Sequence, residues 1–357
     1  MSSRFVETAV VGVDAGGTRT RAICITCDGT YVGSGTSGPA NHSSGSLAGA
    51  KDSIERAITE ALSAPPKAGG PHILAVHIGS SGLEGPGNET EARRLIDGAV
   101  DAESVSIDTD AYAAWAGAFG CAPGIVLIAG TGSISLGVNE RGQRGRAGGW
   151  GWRVGDEGSA YRIAIEGIRA ALQTADRRRK DLALWVALRE FVGIENVAGN
   201  WTLRDDGEQV RAWLTGRRRT TSQLAAFAPM VERAALQGCQ VSRDILMQAG
   251  VDLAALVKGV LSQIGFAEPL SVALAGGVLR HNTVVRESLL RNIEQIAPGA
   301  AIIGPAYPPE VGAAFIAMSQ NGYPTTPRFF QRLDAELASY PHKVTSPGFV
   351  SVRDRGG

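Results

Sequence analysis

"VVGVDAGGTRTRAICITCDG" (residues 10–29) is the stretch of sequence from which the fold can be worked out. The apolar, β-branched run that ends in Asp14 predicts a buried strand, and a second strand follows the tight turn "AGGT" at 15–18. The dipeptide "DG" at 28–29 is a hairpin signal and predicts a third strand over residues 30–35. The stretch therefore predicts a three-stranded meander whose first turn carries an acid, two glycines and a threonine.

The same pattern returns at residues 124–149, "GIVLIAGTGSISLGVNERGQRGRAGG". A strand, a glycine-threonine turn, a second strand, a turn and a third strand follow in the same order, which indicates an internal duplication. We therefore expect an α/β protein with two duplicated domains, residues 1–118 and 119–322, and a helical insertion in the second. Residues 323–357 are expected to form a loosely structured tail.

Composition and charge argue against several function classes. The 357 residues are 44% apolar, and 35 basic side chains balance 35 acidic ones. A net charge of zero argues against nucleic acid or an anionic membrane as the main partner. The chain has no run of about 18 apolar residues, so no membrane span is predicted, and its N-terminus lacks the layout of a signal peptide. We expect a cytoplasmic protein.

Four cysteines are too few for a disulfide framework. Cys24 and Cys27 form a C-x-x-C pair, but they lie in a predicted strand, where this odd spacing sends their side chains to opposite faces. No second cysteine pair and no nearby histidine complete a zinc site. We therefore expect no metal or redox site at these cysteines.

The two glycine-threonine turns are suited to binding phosphate. Glycine tolerates positive φ and leaves backbone N–H groups exposed, so such a turn can surround phosphate oxygens as a nest of donors. Thr18 and Thr131 add hydroxyl donors, and Asp14 is well placed for a hydrated Mg²⁺ ion. Either turn alone could be a plain hairpin. Both together, with a third glycine turn at 275–277, favour a polyphosphate held from two sides of a cleft between the domains.

These motifs resemble those of a known superfamily. Asp14 with "GGT" at 16–18, "GTGS" at 130–133 and "LAGG" at 274–277 resemble the phosphate-1, phosphate-2 and adenosine motifs of the actin/hexokinase/heat-shock-chaperone ATPases. The resemblance implies two ribonuclease-H-like (actin-like ATPase) domains that bind ATP and Mg²⁺, with Asp14 as the metal ligand. The nucleotide-binding residues that it implies are Gly16, Gly17, Thr18, Thr131, Gly132, Gly276, Gly277 and, more loosely, Ala225.

A longer block narrows the resemblance. "GGWGWRVGDEGSAYRIA" at 148–164 is similar to the N-acetylglucosamine kinase and BadF/BadG/BcrA/BcrD group of this superfamily. "NHSS" at 41–44 and "TDA" at 109–111 are also similar to that group, and the whole resemblance covers about residues 8–320. It implies a sugar kinase, for which we expect a homodimer.

Asp110 is the candidate general base. In the related sugar kinases the aspartate of the "TDA" motif is the proposed base and contacts the sugar, which implies that role for Asp110. A carboxylate base contributes roughly 10²- to 10⁴-fold to such a transfer. Aspartate is also a favoured helix N-cap, and the two roles are compatible. Asp108, two residues earlier in the predicted strand, is the second candidate.

The resemblance also implies a sugar site. Its residues are Asn41, Gly149, Trp150, Gly151 and Asp156, together with the base. The alternatives for three of them are structural. Asn41 could be a turn residue, Trp150 a core aromatic, and Asp156 an acid that favours the N-terminus of the following helix.

These expectations describe an ATP-dependent amino-sugar kinase that transfers the γ-phosphate to the 6-hydroxyl of N-acetylglucosamine. A glucosamine or N-acetylmuramic acid kinase is an alternative, because the motifs contact ring hydroxyls and phosphates rather than the substituent at C2. An activator ATPase for an iron–sulfur dehydratase or reductase is an alternative from another class. It would need paired cysteines for a cluster at a dimer interface, whereas Cys121 and Cys239 are isolated in the sequence. A chaperone ATPase is disfavoured by the length of the chain.

Overall fold

The computed structural model describes residues 7–40, 47–63, 71–82, 87, 89–194, 203–216 and 219–339. The strands of this part of the chain are β1 (Thr8–Ala15), β2 (Thr20–Thr26), β3 (Tyr31–Ser37), β4 (His72–Ser80), β5 (Ser104–Thr109), β6 (Gly124–Ala129), β7 (Ser133–Val138), β8 (Arg144–Gly148), β9 (Ser271–Ala275) and β10 (Ala301–Ile303). The helices are α1 (Leu47–Leu62), α2 (Glu89–Ile96), α3 (Asp110–Phe119), α4 (Ala160–Ala175), α5 (Leu182–Val192), α6 (Leu203–Gly216), α7 (Thr221–Ala225), α8 (Ala228–Leu236), α9 (Gln240–Gln263), α10 (Gly277–His281), α11 (Thr283–Ile296), α12 (Pro309–Gln320) and α13 (Pro327–Ala338). They form two compact units, residues 1–126 with 303–357 and residues 127–302.

A five-stranded sheet in the order β3-β2-β1-β4-β5 forms the centre of the first unit. β1 pairs antiparallel with β2 and parallel with β4, and β4 is parallel to β5. Val11 and Val13 of β1 belong to a core cluster with α1 and α2, whereas Val10 belongs to a cluster with α12 and α13. Both faces of β1 are therefore covered, which is why its sequence is apolar without alternation.

The second unit repeats this topology. Its five strands have the order β10-β9-β6-β7-β8. The order equals that of the first unit when β6, β7 and β8 are matched to β1, β2 and β3, and β9 and β10 to β4 and β5. β7 and β8 are antiparallel, as β2 and β3 are. The duplicated meander predicted from the sequence is confirmed.

Helix α12 lies directly on β1 at Gly12. A Cβ atom on Gly12 would lie 2.1 Å from the carbonyl oxygen of Glu310, so the helix could not approach a larger residue. Gly312 of α12 approaches α3 in the same way, since an added Cβ would lie 2.1 Å from the carbonyl oxygen of Ala113. The last long helix is thus packed backbone to backbone against β1 and α3, which carry the predicted acids.

This packing places the domain boundary differently from the sequence prediction. The predicted second domain, residues 119–322, includes α12, but residues from 303 onward belong to the first compact unit. The physical reason is the contact of α12 with β1, β4 and α3. The chain therefore leaves the first unit after β5 and α3 and returns to it for its last helices.

The predicted loose tail begins with an ordered helix. The hydroxyl of Thr326 accepts the backbone N–H of Phe329 and caps α13. Phe329, Leu333 and Leu337 are buried in the core of the first unit. The expectation for residues 323–357 is therefore corrected as far as residue 339, and residues 340–357 lie outside the described part of the chain.

One helix within the described ranges, α9, is long and apolar enough to cross a membrane by length and composition alone. It packs against α4, α8, α11, β7 and β8 within the second unit. Its buried side chains include Leu246, Leu253 and Val257. A core helix can have the same length and composition, and the packing accounts for these buried side chains.

Candidate active site

Two acids of the first unit, Asp14 and Asp108, lie in one row across its sheet. The register makes Arg21 of β2, Asp14 of β1, Gly79 of β4 and Asp108 of β5 successive neighbours. Arg21 Nη1 lies 3.9 Å from Asp14 Oδ2. The row is close to the carboxyl ends of the parallel strands, which is where open α/β sheets bind their ligands.

Asp14 lies in a strongly acidic environment. Burial, followed by the negative charges of Glu310 and Asp110, raises its pKa to about 8, and the positive charge of Arg21 opposes this shift. Its side chain keeps 15% of its surface exposed. A carboxylate in such surroundings ionises most easily when a cation approaches it. The environment of Asp14 therefore favours a bound divalent cation.

Glu310 is the acid that sequence reasoning missed. It lies in the first turn of α12, is 4% exposed, and its pKa is raised by burial. Its Oε2 atom is buried and has no hydrogen-bond partner among the described residues. The sequence signal was the acid in "PPEV" at 308–311, directly after two prolines that start a helix.

These acids fit a hydrated Mg²⁺ ion better than a fully protein-bound metal. Within the described residues, no group of three or more His, Cys, Asp or Glu side chains is arranged to hold a metal ion. Mg²⁺ does not need such a group, because it keeps several waters and takes one or two carboxylates. Asp14 could supply that ligand, and the buried Oε2 of Glu310 is an acceptor that a metal-bound water could satisfy.

Asp110 and Asp108 differ in their availability. Thr109 is the N-cap of α3, and its Oγ1 accepts the backbone N–H of Tyr112 at 3.2 Å. Asp110 is therefore the first helical residue rather than the cap, and it is partly exposed. Asp108 is 5% exposed, and its Oδ1 accepts the backbone N–H of Thr109 at 2.7 Å. Of the two candidates for a base, Asp110 is the more accessible.

The turn between β1 and β2 carries the predicted phosphate-1 residues. Gly17 and Thr18 are exposed and Gly16 is partly exposed. The N–H of Gly16 donates to the carbonyl of Arg19 at 3.1 Å, and its own carbonyl accepts the N–H of Ala40 at 3.0 Å. The turn is therefore fixed at its base and open at its tip.

The turn between β6 and β7 carries the predicted phosphate-2 residues. Thr131 is exposed and Gly132 is partly exposed. Ser133 follows them and is buried; its backbone N–H donates to Asp156 Oδ1 at 3.2 Å. This contact was not expected from the sequence, where Asp156 was assigned to the sugar. Ser159, not Asp156, caps α4 by accepting the N–H of Arg162.

Three of the predicted nucleotide-binding residues line a cavity of about 430 Å³ in the second unit. Thr131 of the β6–β7 turn, Ala225 of α7 and Gly277 of α10 all line it. Gly276, at φ 94°, immediately precedes α10. Most of the lining is apolar, as in pockets that bind small ligands. The lining residues are Gly130, Thr131, Ala160, Ile163, Ser222, Ala225, Ala226, Ala228, Pro229, Glu232, Gly277, Val278, His281 and Asn282.

Glu232 is the carboxylate of this cavity. Its Oε1 accepts the backbone N–H of Thr283 at 3.2 Å. Burial raises its pKa, although that hydrogen bond and the nearby His281 act in the opposite direction. Sequence reasoning did not single out Glu232, because a glutamate on a helix is ordinarily a solvated surface residue.

The segment from Gly149 to Asp156 presents an exposed aromatic side chain. Trp150 is 70% exposed, and the Arg146 guanidinium lies 5.3 Å from its ring centre. The core alternative for Trp150 is therefore excluded. Gly149 and Gly151, on either side of it, have φ values of 71° and 81°, in the left-handed region that favours glycine. Asn41 lies outside the described residues.

A family model confirms the resemblance drawn from the motifs. The model of the BadF/BadG/BcrA/BcrD ATPase family matches residues 11–317. The N-acetylmuramic acid/N-acetylglucosamine kinase of Clostridium acetobutylicum is 28% identical over 318 residues, which cover 87% of this chain and 98% of that protein. The N-acetyl-D-glucosamine kinase of Dictyostelium discoideum is 28% identical over 327 residues, with coverages of 87% and 98%.

A solved structure agrees with these relatives. A candidate N-acetylglucosamine kinase from Chromobacterium violaceum superposes with a TM-score of 0.66 at 29% sequence identity, covering 86% of this chain and 98% of that one. The predicted fold class, two duplicated domains of the actin-like ATPase type, is confirmed.

Proposed function

The chain belongs to the BadF/BadG/BcrA/BcrD ATPase family, and from that premise we propose that it is an ATP-dependent amino-sugar kinase. The reaction proposed is transfer of the γ-phosphate to the 6-hydroxyl of N-acetylglucosamine. Both curated relatives described above are named as kinases of N-acetylglucosamine or of N-acetylmuramic acid and N-acetylglucosamine. The structural observation that supports the proposal most directly is the acidic environment of Asp14 beside the open turn at 16–18.

The phosphates and the metal would be held by the duplicated turns and by Asp14. Mg²⁺, when bound, neutralises charge on the transferring phosphoryl group. Asp14 would take part in its coordination sphere, and Glu310 would accept a hydrogen bond from its hydration shell. The backbone N–H groups of Gly17, Thr18, Thr131 and Gly132 would donate to phosphate oxygens. Arg21, 3.9 Å from Asp14, would keep the net charge of this acidic region from becoming too negative.

Asp110 is the proposed general base. It is partly exposed at the start of α3, whereas Asp108 is buried and accepts a hydrogen bond from its neighbour's backbone. Asp110 would accept the proton of the sugar hydroxyl as that oxygen attacks phosphorus. Positioning of the two reactants supplies most of the remaining acceleration. Asp108 is the second candidate for this role.

The nucleoside would occupy the cavity of the second unit. Its apolar lining suits the faces of a purine, and Ala225, Gly276 and Gly277 would allow close approach of backbone to the base and ribose. Glu232, whose pKa is raised by burial, adds a carboxyl group to a mostly apolar wall.

The sugar would contact Asn41, the segment 149–151 and Asp156. The exposed indole of Trp150 offers an apolar surface, and Asp156 offers a carboxylate oxygen to ring hydroxyls. These groups bind features common to amino sugars, so glucosamine and N-acetylmuramic acid are the alternative acceptors. We further propose that the protein is cytoplasmic and forms a homodimer. Light scattering on the purified chain tests the homodimer.

The activator ATPase is the alternative from another class, and the thiols do not favour it. Burial raises the pKa of Cys24 and Cys121 to about 12 and that of Cys27 to about 11. An iron–sulfur cluster requires thiolates, which these environments disfavour. Visible absorption of a cluster in protein purified without oxygen would revive this alternative.

The test of the kinase proposal is sugar-dependent formation of ADP from Mg²⁺-ATP. The panel is N-acetylglucosamine, N-acetylmuramic acid, glucosamine, N-acetylmannosamine and glucose, with ADP measured by a coupled assay. We expect strong stimulation by one amino sugar and a loss of roughly 10²-fold or more in kcat for Asp110→Asn. Asp97→Asn removes an acid whose side chain is 84% exposed and is the matched control. Hydrolysis that no sugar stimulates would contradict the proposal.

A further inference from the structure

Carbonyl groups of the phosphate-2 turn, residues 130–133, accept hydrogen bonds from the start of α4. The carbonyl of Gly130 accepts the N–H of Ala160 at 2.9 Å, and that of Thr131 accepts the N–H of Tyr161 at 3.4 Å. These are the first two amides of α4, which have no partner within the helix. The turn and the helix start therefore satisfy each other's backbone groups.

The direction of these carbonyls fixes the direction of the intervening N–H groups. In a trans peptide the C=O of one residue and the N–H of the next point opposite ways. Since the carbonyls of Gly130 and Thr131 point toward α4, the N–H groups of Thr131 and Gly132 point away from it. The third carbonyl, that of Gly132, accepts the N–H of Gly130 at 2.9 Å and closes the turn. The result is a pair of parallel donors suited to an anion.

Asp156 supplies the side-chain contact that completes this arrangement. Its Oδ1 accepts the N–H of Ser133, the next amide of the turn, at 3.2 Å. The contact is close, because a Cβ atom on Gly132 would lie 2.8 Å from the same oxygen. The Ser133 hydroxyl donates to the carbonyl of Glu157 at 2.7 Å, which adds a second bond between the two segments. The fourth backbone N–H of the turn, that of Ser133, therefore donates to Asp156 and is not available to a phosphate.

The backbone at Asp156 is shaped for this contact. Its φ is 60°, in the left-handed region that aspartate and asparagine tolerate better than most residues. Ser159 N–H donates to the Asp156 carbonyl at 3.1 Å, and the Arg162 guanidinium donates to the Gly155 carbonyl at 3.0 Å. These bonds fix the backbone on both sides of the carboxylate, whose Oδ1 accepts the hydrogen bond from the turn.

We infer that Asp156 is a positioning residue that couples the two substrates: one carboxylate oxygen sets the phosphate-2 turn while the other binds the sugar. Only the sugar-binding part of this inference rests on the proposed function. When sugar engages Oδ2, the carboxylate loses freedom and the Ser133 bond is held in its phosphate-binding geometry. Nucleotide and sugar should then bind with positive cooperativity, and the coupling is reciprocal.

Two substitutions separate the two oxygens of Asp156. Asp156→Asn keeps an acceptor for Ser133 and tolerates the left-handed backbone, but it replaces one oxygen with an amide. Asp156→Gly tolerates the same backbone and removes both oxygens. Glu157→Gln is the matched control, because it removes a neighbouring charge and leaves the backbone bonds of both residues intact. Melting temperatures establish that each variant is folded.

The readout is the affinity for Mg²⁺-ADP by calorimetry, first without sugar. Losing the acceptor of the Ser133 N–H should weaken ADP binding by roughly tenfold in Asp156→Gly. Asp156→Asn should stay within about threefold of the wild type, as rescue by a conservative variant. Glu157→Gln should match the wild type. With N-acetylglucosamine present, ADP binding should tighten in the wild type and not in Asp156→Asn, whose KM for the sugar should rise more than its kcat falls.

The outcomes distinguish this inference from the proposed function. Unchanged ADP affinity in Asp156→Gly would overturn the inference even if the wild type phosphorylates a sugar. A wild type that no sugar stimulates would overturn the kinase proposal and with it the coupling. The order of ADP affinities, wild type then Asp156→Asn then Asp156→Gly, would still support the positioning of the turn.

Discussion

Replacing Asp14 by asparagine should remove a pH dependence of stability that the ionisation of this carboxylate imposes. The pKa of Asp14 is about 8 in the folded chain, against 3.8 for an unperturbed aspartate. Between these two values the folded chain keeps a proton that the unfolded chain has lost. Because this carboxyl pKa is raised on folding, the contribution of Asp14 to stability is fully present below pH 3.8 and is lost as pH rises through the folded pKa.

The size of the effect follows from one proton. In this window the free energy of unfolding falls by about 1.4 kcal/mol per pH unit. From pH 5.5 to pH 7.5 the wild type should therefore lose about 2 to 3 kcal/mol more than Asp14→Asn. The full cost of ionising Asp14 across the window is at most about 6 kcal/mol.

The assay is urea unfolding followed by circular dichroism at both pH values, with EDTA present to remove divalent cations. Asp97→Asn is the control, because this exposed acid should leave the wild-type pH dependence unchanged. Added Mg²⁺ should restore stability of the wild type at the higher pH, since the ion stabilises the ionised form. Equal pH dependences for the wild type and Asp14→Asn would refute the electrostatic account of this site.

Three further substitutions test the packing and charge of the first unit. Gly12→Ala should lower the free energy of unfolding by about 3 kcal/mol or more, the upper range for overpacking, because its Cβ would lie 2.1 Å from the Glu310 carbonyl oxygen. Gly130→Ala, whose Cβ would meet no atom within 4 Å, is the control. Equal melting temperatures of the two variants would contradict the close packing. Glu310→Gln should lower the pKa of Asp14, so Mg²⁺-ATP binding should persist to lower pH in a titration by calorimetry, and an unshifted profile would exclude that coupling. Phe329→Ala should cost about 3 to 5 kcal/mol in urea unfolding because this ring is 3% exposed in the core, and a change below about 1 kcal/mol would show that α13 is dispensable.

Local signals made the meanders predictable. Each consists of consecutive strands joined by short turns, so glycine, "DG" and the apolar runs indicate it without knowledge of distant contacts. The match between residues 9–35 and 124–149 then indicated the duplication, which the identical strand order confirms. The acid at the end of β1 was predictable for the same reason, because its place relative to the turn is set by a few neighbouring residues.

Long-range packing was not predictable from these patterns. Gly12 and Glu310 lie close together although they are near opposite ends of the sequence. Neither local sequence indicates the other as its packing partner. For this reason the domain boundary predicted after residue 322 wrongly assigned α12 to the second domain. α13 was not predicted, although Phe329, Leu333 and Leu337 recur at helical spacing and Thr326 followed by Pro327 was a usable helix-start signal.

The site was predictable in its residue types and less so in its contacts. The sequence could not choose between a core and an exposed position for Trp150, because aromatic side chains occupy both. It could not show that Thr109 rather than Asp110 caps α3, since both are favoured caps. The hydrogen bond between Ser133 and Asp156 joins residues on different segments, and only the folded chain brings them together.

Direct identification of the phosphorylated product tests the central claim most closely. The purified chain would be incubated with Mg²⁺-ATP and N-acetylglucosamine, and the product examined by phosphorus–proton correlation in NMR. The account predicts a single sugar phosphate whose phosphorus couples to the two protons at C6. Asp97→Asn should form it at the wild-type rate, and Asp110→Asn roughly 10²-fold or more slowly. Inorganic phosphate as the only product, or a phosphate on another hydroxyl, would contradict it.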